Sequence, residues 1–67
     1  MANKLTIGIP TFNRKEAAFS CLENLKNNFS FKEIDVLLID NCSKDGTFEF
    51  LKKKYEDTPY RILRNNK

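Results

Sequence analysis

The sequence has 67 residues, 40% hydrophobic and 31% charged, with two glycines and two prolines, which excludes a disordered segment or a fibrous repeat. Its net charge of +3 (pI about 9.0) is dispersed apart from Lys52, Lys53 and Lys54, and bases do not interleave with aromatics, so no nucleic-acid partner is expected. No apolar run approaches the ~20 residues that cross a bilayer, and MANKLTIGIP is not a signal-peptide core, so no transmembrane segment and a cytoplasmic location are expected.

Lys4 to Ile9 carries Leu5, Ile7 and Ile9 and reads as a buried strand. Pro10 is expected to end it, because proline has no N–H for the ladder. Asn13 is a candidate N-cap for the next helix, with Glu16 three residues on in a capping-box arrangement. Ala18, Cys21, Leu22, Leu25 and Phe29 then form one apolar stripe at the helical period, with Cys21 read as a small buried hydrophobe. Lys26, Asn27 and Asn28 close the helix.

Ile34 to Ile39 is a second strand, and its run Val36–Ile39 suits a parallel strand covered on both faces. Asp40 ends it. Ser43 or Asp45 is expected to cap a second helix, from about Gly46 to Tyr55, with Gly46 supplying backbone freedom. Phe48, Leu51 and Tyr55 make its inner stripe, Phe50 lies at the edge, and Lys52–Lys54 suit the dipole at its end. Pro59 opens a third strand, Tyr60 to Leu63. The order β-α-β-α-β predicts an α/β fold, half of a doubly wound, Rossmann-like parallel sheet with three strands and two helices. The first strand would sit in the middle or at one edge. Residues 1–67 are read as one unit.

Chemistry can reside at the two strand-to-helix turns, since open α/β sheets bind ligands at the carboxyl ends of their strands. The first, Pro10-Thr11-Phe12-Asn13-Arg14, offers a hydroxyl, an aromatic face, an amide and a guanidinium that can grip phosphate bidentately. The second runs from Asp40 to Thr47. There Asp40 can accept ribose hydroxyls, and Asn41 can both donate to and accept from a base edge. The alternative is that these residues cap helices and pack. Cys42 lies in this loop, and nothing in the sequence requires it to be reactive. There is no D-x-D, no G-x-G-x-x-G and no P-loop, and the absence of histidine excludes a Ser-His or Cys-His nucleophile.

IPTFNR followed by LLIDNCSKDGT resembles the opening of a family 2 glycosyltransferase with the GT-A fold, over roughly Leu5 to Arg64. The resemblance implies transfer of a sugar from a nucleotide diphosphate sugar to an acceptor hydroxyl. It points to Pro10, Thr11, Phe12, Asn13 and Arg14 against the nucleoside, with Arg14 toward the diphosphate. It also points to Asp40, Asn41 and Ser43 around base and ribose. Phe12 stands where the family usually has tyrosine, and Asn41 where many members have a second aspartate.

The family's D-x-D and catalytic carboxylate come later than position 67. The expectation is therefore a nucleotide-binding portion of a truncated domain, with no catalytic residue and no cofactor of its own. A divalent metal, Mg or Mn, is expected for the full-length parent, which could work at the cytoplasmic face of a membrane. An interior first strand deprived of its neighbour would leave Leu5–Ile9 as an unpaired edge, so a homo-oligomer formed through that strand is expected. The other readings are a nucleotide- or protein-binding module without catalysis and an oligomerising α/β fragment.

Overall fold

The computed structural model describes residues 4–65. The elements run β1 (Leu5–Thr11), α1 (Lys15–Asn28), β2 (Ile34–Asp40), α2 (Thr47–Lys54) and β3 (Arg61–Arg64). All three strands are parallel, in the spatial order β1-β2-β3. The expected β-α-β-α-β architecture is the one observed, with β1 at an edge and β2 in the middle. Ile7 lies opposite Val36 and Ile9 opposite Leu38, while Leu38 lies opposite Ile62.

Each crossover steps to the next strand in the same direction. Right-handed crossovers then put both helices on the same face of the sheet. Burial along β2 follows from this. Ile34, Val36, Leu38 and Asp40 are buried, whereas Asp35, Leu37 and Ile39 are half-buried. The expectation that β2 would be covered on both faces is therefore corrected: one face carries the helices and the other is open. On the open face an ion pair joins Arg61 Nη2 to Asp35 at 2.7 Å, and Leu63 is 49% exposed.

The core gathers Ala18 and Leu22 of α1, Leu51 of α2 and Tyr55 at its end around Ile34, Val36, Leu38 and Ile62. Full burial of such aliphatic side chains contributes about 1.5–3 kcal/mol each. Phe31, Tyr55 and Tyr60 extend it as a ring cluster, with Phe31 edge-on to Tyr60 at 5.3 Å. Tyr55 donates its hydroxyl to Glu23 at 2.6 Å and so ties α2 to α1. Burial and that carboxylate both push the Tyr55 phenol above its ordinary value.

Four local readings change. Pro10 continues β1 instead of ending it, lying opposite Ile39. Leu5 N–H and Thr11 C=O both point at β2. By the alternation of a strand, the nitrogen of Pro10 then points outward, where no ladder bond is needed. Cys21 is exposed, not buried, and Phe29 at the end of α1 is 43% exposed. The stripe rotates instead toward Phe19, which packs edge-on against Phe50 at 5.4 Å. The N-cap of α1 is Arg14, without a side-chain cap bond, and not Asn13. The N-cap of α2 is Gly46, in the left-handed region at φ 83°, and not Ser43 or Asp45. Strand ends also differ by a residue or two: β2 includes Asp40, and β3 begins at Arg61 and includes Arg64.

Candidate functional site

Parallel strands all present their carboxyl ends on the same side, so the loops after β1, β2 and β3 meet there. Adjacent pairing in the sheet brings the first turn directly beside the second. Asn41 N–H donates to Thr11 C=O at 2.8 Å, which carries the ladder one step past the strands. Asn65 N–H does the same toward Asp40 C=O at 2.8 Å, and so adds the residue after β3 to the group.

A buried polar brace holds the two turns together. Asp40 is fully buried, and its carboxylate accepts from Ser43 at both oxygens: Oδ2 from the backbone N–H at 2.9 Å and Oδ1 from the hydroxyl. A buried carboxylate needs such donors, because leaving it unpartnered is costly. The Ser43 hydroxyl in turn accepts from Asn13 N–H at 2.7 Å. Asn13 Oδ1 accepts from Lys44 N–H at 2.7 Å, which closes a reciprocal staple between the loops. Arg64 donates from Nη2 to Ser43 C=O at 3.2 Å and from Nη1 to Glu49 at 3.0 Å. The guanidinium lies over the Phe48 ring at 5.7 Å. Its neighbour Cys42 raises the guanidinium further above its already high value.

The backbone in both turns leaves the right-handed region. Asn13 sits at φ 50° and Cys42 at φ 60°. Asparagine tolerates that conformation, whereas cysteine does so rarely. The Asp40–Ser43 bonds on either side of Cys42 hold it there. Asp45 accepts from Thr47 N–H at 3.0 Å and from the Thr47 hydroxyl. Asp45 thus satisfies a first-turn donor of α2 from just outside the helix. The hydroxyl bond keeps its carboxyl below the usual range. Asp45 also accepts from Lys15 N–H at 3.4 Å.

The eight candidate residues divide by exposure. Thr11, Asp40 and Ser43 are buried, and the carboxylate and hydroxyl of the last two are already engaged. Pro10, Phe12, Asn13 and Arg14 are exposed, and Asn41 is half-exposed. Phe12 is 55% exposed, a large apolar surface left open beside polar groups. Arg14 makes no ion pair among the described residues, so its fork is open to an anion. A shallow depression of about 450 Å³ lies beside the first turn, lined by Asn13, Arg14, Lys15, Glu16, Ala17 and Asp45. Lys44, Arg64 and Asn65 were not anticipated from the sequence. Their position in the fold was the available signal, because residues just past β2 and β3 must join the same loop cluster.

Among the described residues no group of three or more His, Cys, Asp or Glu could hold a metal ion. Among them, too, no helix is long and apolar enough to cross a membrane.

Residues 6–67 match the family described as Glycosyl transferase family 2. The chain belongs to that family. Both turns lie inside the matched segment. Over 61 residues the chain is 34% identical to a Bacillus subtilis (strain 168) protein described as "uncharacterized glycosyltransferase YfnE". That alignment covers 91% of this chain and 16% of the relative, so the chain spans about a sixth of the length of the curated protein it resembles. No solved structure gives a significant match.

Proposed function

We propose that this chain holds the nucleoside diphosphate end of a nucleotide sugar, within a transferase that passes the sugar to an acceptor hydroxyl. The observation that carries the reading is the hydrogen-bonded joining of the two turns at the carboxyl ends of adjacent parallel strands, beside an exposed aromatic face and an open guanidinium. Family membership is consistent with it.

Three residues touch the ligand in this reading. Phe12 stacks on the base, Asn41 reads its edge, and Arg14 grips a phosphate with two parallel N–H groups. Asp40, Ser43, Asn13 and Thr11 are positioning residues, because they fix where those three stand. Pro10 stiffens the entry to the first turn through its restricted φ. Asp45 lines the same depression as Arg14 and accepts from Lys15 N–H at 3.4 Å, so its carboxylate faces the region where the guanidinium would take a phosphate. No residue here is assigned as general base. A divalent cation, Mg or Mn, remains part of the proposal for the full-length protein, and no step is drawn through it.

Calorimetric titration with UDP, GDP, CDP and dTDP tests this. Base–aromatic stacking contributes about 1–3 kcal/mol by truncation, so Phe12→Ala should weaken binding about tenfold or more. Arg14→Ala should weaken the diphosphate by a similar factor and leave the nucleoside little changed. Both residues are exposed, so the unfolding midpoint should not move. Unchanged affinity in both variants would overturn the reading.

A further inference from the structure

Two phenylalanines meet where α1 and α2 lie side by side. Phe19 of α1 and Phe50 of α2 pack edge-on, with ring centroids 5.4 Å apart. Phe50 stays 39% exposed, although Leu51 beside it in the chain is fully buried. Lysines frame the pair. Lys15 Nζ lies 5.5 Å from the centre of the Phe50 ring, and Lys54 Nζ 5.6 Å from that of Phe19. Lys53 joins Phe50 and Lys54 around a shallow depression of about 370 Å³, to which Glu49 adds an acid. Glu49 is paired with Arg64 at 3.0 Å, so it does not cancel the lysine charges.

We infer that this face of α1 and α2 docks on an anionic lipid surface, with the Phe50 ring at the headgroup boundary and the lysine ammonium groups on lipid phosphates. The inference stands apart from the nucleotide reading. Apolar surface and positive charge share one helical face here, the combination that binds at a lipid interface. A lysine stem lies along apolar surface while its head stays in water, so the rings can sink while the charges remain among the headgroups. The ammonium groups of Lys15 and Lys54 lie over different rings, so they are spread across the patch and do not converge on one small anion. Each ring also already carries a cation, which competes with the base stacking that a single-stranded nucleic acid would need.

Each lysine held near an anionic surface strengthens binding by about fivefold, so Lys15, Lys53 and Lys54 together give a preference of about a hundredfold for anionic over neutral lipid. Lys53 and Lys54 are exposed, so salt should weaken the association. Both helices cover the same face of the sheet. Docking through them sets the sheet parallel to the bilayer, and the loops at the carboxyl ends of the strands then open along the membrane.

The experiment is co-sedimentation of the full chain with vesicles of phosphatidylcholine alone, and of equal parts phosphatidylcholine and phosphatidylglycerol. The wild type should bind the mixed vesicles at least about tenfold more tightly than the neutral ones, and less tightly as salt rises. Lys53→Glu with Lys54→Glu should abolish the preference. Lys4→Glu with Lys32→Glu makes the same change in net charge at exposed positions outside the patch and should keep most of it. Phe50→Ser should weaken binding to the mixed vesicles by about fivefold, with an unchanged circular dichroism spectrum. Equal loss in the two double variants would reduce the effect to net charge and overturn the inference, as would wild-type binding that ignores lipid charge. Full competition by soluble glycerol phosphate at the concentration of the lipid would overturn it in favour of a small anion. Binding of a polyglutamate peptide as tight as that of the mixed vesicles would overturn it in favour of an acidic protein partner. None of these outcomes bears on the nucleotide reading, which has its own titration.

Discussion

Replacing Ser43 by alanine removes the hydroxyl at the centre of the brace between the two turns. That hydroxyl donates to Asp40, whose carboxylate is fully buried, and accepts from Asn13 N–H at 2.7 Å. A hydrogen bond to a charged group contributes about 1.5–3 kcal/mol, and the loss is felt in full when the acceptor is buried. The Asn13 N–H is nearer solvent and water can replace its partner, so it adds about 0.5–1 kcal/mol. The sum is about 2–4 kcal/mol. A chain of this length has about 3–10 kcal/mol of stability in all, so one hydroxyl accounts for a large share. Urea unfolding followed by circular dichroism measures it. With a slope of about 1 kcal/mol/M for a small domain, the midpoint should fall by about 2 M or more. Ser30→Ala is the control: Ser30 is exposed and its hydroxyl accepts only from Lys32 N–H at 3.3 Å, so its midpoint should stay within about 0.5 M. A Ser43→Ala midpoint that moved no further than the control would refute the argument that the brace holds the turns.

The two buried tyrosines should respond in opposite directions to removal of the hydroxyl. Tyr55→Phe deletes a bond to Glu23 and should cost about 1–2 kcal/mol, whereas Tyr60→Phe deletes a buried hydroxyl with no partner among the described residues and should be neutral or stabilising by up to about 1 kcal/mol in urea melts. Folding raises the Tyr55 phenol above its ordinary 10.0, so its contribution is complete below about pH 10 and is lost as pH rises. The wild-type midpoint should therefore fall above about pH 10, and by less in Tyr55→Phe. Gly46→Ala places a side chain at φ 83° with open space around it, so its cost should be conformational alone, about 1–2 kcal/mol by thermal melt. β1 is an edge strand in which Leu5 is 66% exposed, so sedimentation should show self-association that rises with concentration and is suppressed by a charge at an exposed position of that strand, Thr6→Lys. A monomer at every concentration would count against pairing through this edge.

The order of elements was readable because each has a strong periodic signal: Leu5, Ile7 and Ile9 at period two, Ala18 and Leu22 one helical turn apart, and the apolar run of β2. Coverage of that run was not. Val36–Ile39 is equally apolar whether one face is packed or two, and only the strand order, in which both crossovers step the same way, decides it. Asn13 was misread for a related reason. A capping box is a local pattern, but the Asn13 amide found a better partner thirty-one residues away, at Lys44 N–H, than at the helix that follows it. Cys21 fell on the apolar stripe by spacing, yet the helix is rotated so that Phe19 packs there and Cys21 faces solvent. The turns themselves stood out as a candidate site because their residue types are unlike those of the strands they end. Which residues brace and which face outward was not, because Asp40 and Asn41 are adjacent and both polar. Their different roles come from strand alternation, which turns Asp40 inward to Ser43 and leaves Asn41 at the rim.

The most direct test of nucleotide binding at these turns is an amide NMR titration of the chain with UDP, GDP, CDP and dTDP in turn. The account predicts saturable shifts centred on Phe12, Asn13, Arg14, Asn41 and Ser43 for one or more of these nucleotides. Shifts confined to Lys52–Lys54, or a well-dispersed spectrum that no nucleotide perturbs, would contradict it.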